Sequence, residues 1–122
     1  MIRDFTYIDD IVEGVIRVFD KLAEPDLGFD RANPDPASSF APYRIFNVGN
    51  NHPVQLLEFL DYLEDALGRK AIRNFLPIQP GDLPATNADV SDLQKWIDFK
   101  PITSVREGTK NFVEWYMSYY GI

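Results

Sequence analysis

Residues 3–10 read Arg3-Asp4-Phe5-Thr6-Tyr7-Ile8-Asp9-Asp10, an arginine on a strand-like run that ends in a helix cap. Asp9 or Asp10 can cap a helix reaching about Leu22. Ile11, Val12, Val15, Phe19 and Leu22 recur there at helical spacing, with Arg17, Asp20 and Lys21 on or near the other face. Such a corner is a candidate anion site, because a guanidinium offers phosphate a fixed fork of donors. The plainer reading of Arg3 is a surface arginine paired with Asp4 or Asp9. Asp4 reads as structural and Asp10 as a helix cap and no more.

Outward from this corner, residues 23–43 break the pattern with Pro25, Pro34, Pro36, Pro42 and Gly28, a long proline-rich loop of the kind that carries function or moves. Arg44-Ile45-Phe46-Asn47-Val48 reads as a short buried strand closed by a Gly49-Asn50-Asn51 turn. Pro53 suits the first turn of a helix over 53–67 that buries Leu56, Leu57, Leu60, Leu63 and Leu67, with Gly68 as its terminator. A further short strand is expected over 74–78, at an edge because of Pro77, and then a tight turn at Gln79-Pro80-Gly81-Asp82. Ser91 and Gln94 form a capping box for a helix to about Phe99. Ser104 and Glu107 form another, opening a last helix that buries Val105, Phe112, Val113, Tyr116, Tyr119 and Tyr120, with Gly108 permitting close packing. The order β-α-loop-β-α-β-α-α predicts a small α/β domain.

Composition narrows the function. A chain of 122 residues is one domain, able to bury roughly two-thirds of its unfolded surface. Its 45% hydrophobic content argues for a packed core and against disorder. Twelve basic against nineteen acidic side chains give a net charge of −7, which disfavours general nucleic-acid or anionic-membrane binding. Without cysteine there is no disulfide or thiolate site, so a reducing cytoplasm is the expected compartment. His52 is the one histidine, which precludes a multi-histidine metal site, and it reads as a loop residue. No apolar run approaches about 20 residues and no export signal is visible.

The catalytic motifs are missing. There is no glycine-rich dinucleotide loop and no Walker loop. No Tyr-x-x-x-Lys pair occurs: Ser91 and Arg106 stand four residues before Lys95 and Lys110. Ser38-Ser39 lack nucleophile-elbow glycines. The carboxylate pairs Asp9-Asp10 and Glu64-Asp65 read as a cap and a solvated face.

Three stretches taken in order carry a resemblance: residues 3–10, Tyr43-Arg44-Ile45-Phe46-Asn47-Val48-Gly49-Asn50, and Gln79-Pro80-Gly81-Asp82 followed by Ala88-Asp89. Together they resemble the C-terminal part of the extended short-chain dehydrogenase/reductase family of nucleotide-sugar epimerases. The approach through Ala41-Pro42-Tyr43-Arg44 and the Gln79 before Pro-Gly-Asp are most similar to its UDP-glucuronate 4-epimerase branch. The resemblance implies an α/β substrate-binding domain over residues 1–122, with short strands and about four helices, whose Rossmann domain is absent from this sequence. In the family that absent domain holds NAD and the Tyr/Lys pair. The C4 hydride of UDP-glucuronate passes to NAD and returns to the opposite face of a 4-keto intermediate, giving UDP-galacturonate.

Carried onto this chain, Arg3 matches the family's phosphate-binding arginine and Asp82 lies where it can accept from ribose hydroxyls. Gln79 sits beside it, where galactose-type epimerases carry a second arginine, and Phe5 replaces a tyrosine. The expected partners are a UDP-sugar and the absent Rossmann domain. The fragment alone is expected to be inactive, without NAD or metal, and to self-associate through apolar surface on helix 53–67 or the terminal helix. The alternatives are the same domain of a UDP-sugar decarboxylase or dehydratase, and a stand-alone nucleotide-binding or interaction module.

Overall fold

The fold's only sheet is built from strands of two residues each. In this computed structural model, which describes residues 1–122, β1 (Ile2–Arg3) pairs antiparallel with β2 (Val54–Gln55), Arg3 lying opposite Val54. On its other edge Ile2 bridges Ala85 in parallel. Ile2 N donates to the Pro84 carbonyl (2.9 Å) and Thr86 N to the Ile2 carbonyl (3.1 Å). Three sequence-distant segments therefore meet at β1.

Four helices follow: α1 (Ile8–Asp20), α2 (Leu56–Leu67), α3 (Ser91–Ile97) and α4 (Val105–Tyr120). α2 packs on α4 and α1 on the α3 region. α1 starts at Ile8 with Tyr7 as its N-cap, so neither Asp9 nor Asp10 caps it. Both lie in the first turn, where negative charge suits the helix dipole. Asp10 is turned inward and buried, and its Oδ2 accepts from Thr103 N at 3.0 Å, which ties α1 to the approach of α4. The face of α1 against the protein is carried by Asp10 and Gly14, with the Arg17 guanidinium over Phe99 and the Lys21 ammonium over Trp96. The apolar stripe instead faces water: Val12, Val15 and Phe19 are 47%, 58% and 81% exposed.

α2 begins at Leu56, not at residue 53, because Val54 and Gln55 are taken by the ladder with β1. It ends where Gly68 adopts φ +63°, the left-handed cap that glycine accepts without cost. Its leucines are less covered than expected, with Leu56, Leu57 and Leu67 exposed and Leu60 and Leu63 half-buried. α3 is capped by Val90, not Ser91, and stops at Ile97 with Asp98 left-handed. Asp89 supplies the local bond, its Oδ1 accepting from Ser91 N (3.0 Å). The Ser91 bond holds the Asp89 carboxyl below its ordinary range. The second capping box holds: Ser104 Oγ accepts from Glu107 N at 3.2 Å. On α4 only Val113 of the expected stripe is buried, while Phe112, Tyr116, Tyr119 and Tyr120 are exposed. Gly108 does pack closely, since a Cβ there would lie 3.0 Å from Tyr7 Cδ2.

Neither expected strand beyond β1 forms. In the backbone of residues 44–48 the pairing is limited to an isolated Ser38–Arg44 bridge and the Ile45 N bond to the Ala37 carbonyl. Residues 74–78 are exposed and unpaired, with no neighbouring edge to receive them. In the 23–43 segment Asp26 is the organiser, accepting from Ser38 Oγ (2.7 Å) and Gly28 N (3.0 Å). The buried apolar core is small: Val90, Leu93, Ile97 and Val113.

Candidate functional site

The ladder leaves Arg3 half-buried with its guanidinium at an open edge. Nη1 donates to the Ile2 carbonyl (2.9 Å) and Nη2 to Asp82 Oδ1 (2.7 Å), a pair closed across 79 residues of chain. The Arg3 side chain is 20% exposed and that of Asp82 38%, so both remain reachable by a solute. Asp82 is presented by a β-turn. Its N donates to the Gln79 carbonyl (3.1 Å), Pro80 occupies the second position, and Gly81 at φ +88° takes the third. That conformation strains any residue with a Cβ.

Of the three residues singled out in the sequence, the structure brings Arg3 and Asp82 into contact. Gln79 contributes the carbonyl that closes the turn, and its side chain is exposed and bonded to neither. Neither Asp4 nor Asp9 takes the Arg3 guanidinium. Phe5 stacks on Phe59 with ring centroids 4.3 Å apart. Beside them a cleft of about 260 Å³ is lined by Phe5, Tyr7, Phe59 and Phe112, with no charged side chain. It suits apolar contact, whereas the Arg3–Asp82 edge is the place for an anion.

Other polar residues have different roles from those expected. Glu64 is no solvated face: its side chain is 3% exposed and gathers Arg73, Lys70 (2.9 Å) and Ala71 N. Arg73, then Lys70, hold its carboxyl at about 2. Arg44 leans toward Asp26 (3.9 Å) and over the Trp96 ring. His52 is an exposed loop residue whose Nδ1 lies 2.9 Å from the Asn50 carbonyl. The reach of Asp4 was missed in the sequence. Its Oδ2 accepts from Asn51 N (3.0 Å) and Ala88 N (3.2 Å), and its Oδ1 from His52 N (3.3 Å). The one signal was its place beside Arg3. No helix is long and apolar enough to cross a membrane.

No family model matches the chain. Protein CapI of Staphylococcus aureus is 51% identical over 120 residues, covering 98% of this chain and 36% of that protein. A probable UDP-glucuronate 4-epimerase of Rhizobium meliloti is 45% identical over 120 residues, covering 95% of this chain and 34% of that protein. The solved UDP-glucose 4-epimerase from Bifidobacterium longum, in complex with NAD+ and UDP, superposes with a TM-score of 0.73 at 22% identity. That match covers 96% of this chain and 30% of the other. The chain thus spans about a third of the length of the curated relatives it matches. In sequence it matches part of proteins named as UDP-glucuronate 4-epimerases. Its fold is that of the C-terminal domain in epimerase and short-chain dehydrogenase/reductase structures.

Proposed function

We propose that this chain is the UDP-sugar-binding part of an NAD-dependent UDP-glucuronate 4-epimerase, with residues 1–122 acting as one substrate-binding domain. The observation that carries the reading is the Arg3–Asp82 pair at an exposed edge, 2.7 Å across. The relative named as a probable UDP-glucuronate 4-epimerase supports the sugar, and the neighbour holding NAD+ and UDP supports the nucleotide.

In this proposal the diphosphate takes the Arg3 guanidinium from Asp82, a charged, forked donor meeting a better-matched anion. The released Asp82 carboxylate accepts from ribose hydroxyls. Gln79 lends its exposed amide to the same end of the nucleotide without adding charge. NAD does not fit the residues present: the sheet is a two-residue antiparallel pair, and no helix opens on a glycine-rich turn after a parallel strand. The chemical step therefore belongs to other parts of the enzyme. The exposed faces of α1 and α4 are contact surfaces in this reading, for an NAD-holding domain or for further copies. A cytoplasmic location, compatible with a chain free of cysteine, is part of the same proposal.

The test is turnover. The full-length protein, given NAD and UDP-glucuronate, should form UDP-galacturonate without releasing carbon dioxide. Arg3→Ala should raise KM by about tenfold or more, the value of a lost charged hydrogen bond. Release of carbon dioxide would assign a decarboxylase instead, and an unchanged KM in Arg3→Ala would remove Arg3 from the site.

A further inference from the structure

Asp4 makes more long-range bonds than any other side chain near the candidate site. Its carboxylate accepts from Asn51 N and His52 N in one loop and from Ala88 N in another segment. Its own N donates to Thr86 Oγ1 at 3.3 Å. The approach is so close that a Cβ on Gly49 would lie 2.9 Å from Asp4 Oδ2 and 2.5 Å from the Ala88 Cβ. Asp4 therefore fixes the separation of three segments: β1, the 49–52 loop and the 86–88 run.

The last of these matters most. The 86–88 run continues the chain that carries Asp82, and it is laid beside β1 by the Pro84 and Thr86 ladder bonds. Between Pro84 and Arg73 the backbone makes no bond to the rest of the protein, so Asp82 inherits its position from the run that Asp4 clamps. Arg3 is the residue before Asp4 on β1. One carboxylate thus governs both sides of the Arg3–Asp82 edge while touching neither side chain.

We infer that Asp4 is a positioning residue that sets Arg3 against the Asp82 turn for a nucleoside diphosphate, an inference that rests on the UDP reading above. Asparagine keeps the size of aspartate but has one acceptor oxygen in place of two, so Asp4→Asn must give up at least one of the three backbone bonds. A purely structural carboxylate would lower stability and leave UDP affinity coupled to nothing in particular. A positioning carboxylate acts through Arg3, and a double-mutant cycle separates the two.

UDP is titrated calorimetrically into the full-length protein, with thermal unfolding followed in parallel. Asp4→Asn should weaken UDP about tenfold when Arg3 is present, and should weaken it no further in the Arg3→Ala background. Wild-type affinity in Asp4→Asn, or an equal loss in both backgrounds, overturns the inference. If Asp4→Asn does not fold, Thr86→Val removes the hydroxyl that accepts from Asp4 N and should repeat the pattern more weakly. Unchanged affinity in Thr86→Val, or additivity with Arg3→Ala, then overturns it. Arg3→Ala binding UDP as the wild type does would defeat the UDP reading itself, visibly and by that single variant, and this inference would fall with it.

Discussion

A guanidinium already paired with a carboxylate is available to phosphate only if the carboxylate has somewhere better to go. Asp82 stands on a turn of its own and is more exposed than Arg3, so it is the partner that can move. Asp82→Ala therefore has an asymmetric expected outcome. UDP should bind about tenfold more weakly through the lost ribose bonds, while inorganic pyrophosphate, which has no ribose, binds no worse. Equal losses for both in calorimetry would contradict the division of labour. A second residue-scale effect lies at Glu64. Its carboxyl, ordinarily near 4.5, is held at about 2 by Arg73 and Lys70. The contribution is thus fully present above pH 4.5 and is lost as pH falls through 4.5 toward 2. Glu64→Gln should flatten the acid limb of a stability-against-pH curve in that window, and an unaltered limb would show the cluster to be inert. The sequence signals at this scale were uneven. The Pro-Gly-Asp turn was legible because it carries its conformation locally, whereas the pairing of Arg3 with Asp82, 79 residues apart, was not. Asp4, Asp10 and Glu64 were not legible either, because their partners lie 47–84, 93 and 6–9 residues away.

Elements were legible where their signals are local and failed where a partner strand was needed. Gly68, the Ser104–Glu107 cap and the Gln79–Asp82 turn all formed, since each depends on its own few residues. Residues 44–48 and 74–78 have strand-like composition but no edge to pair with, whereas Val54–Gln55, expected in the helix over 53–67, lies beside β1 and becomes a strand. The two serine boxes make a paired test of the caps. Ser104→Ala should cost about 1 kcal/mol of stability and Ser91→Ala less than half of that in denaturant unfolding, because only Ser104 accepts a helical N–H. Equal losses would contradict the assignment. At Gly49 an added methyl meets Ala88 and Asp4 at once, and Gly49→Ala should cost about 1–3 kcal/mol by overpacking. A neutral Gly49→Ala in the same experiment would mean that the clamp is looser than its distances.

Across the whole molecule, four buried apolar side chains support a fold that leaves Ile8, Val12, Val15, Ile16 and Phe19 of α1 in water. The terminal helix adds Trp115, Tyr119 and Tyr120 on an exposed aromatic run. Apolar surface of this kind drives association. The 122-residue chain purified by itself should therefore self-associate in light scattering, and a monodisperse monomer at high concentration would count against these faces as contact surfaces. β1, the Asp4 clamp and the Asp82 turn converge on one edge. Its most direct test is a crystal structure of the full-length protein with UDP. The diphosphate should lie within hydrogen-bond distance of the Arg3 guanidinium, with Asp82 withdrawn from Arg3 onto the ribose hydroxyls. UDP bound elsewhere, with the Arg3–Asp82 pair intact, would contradict the account.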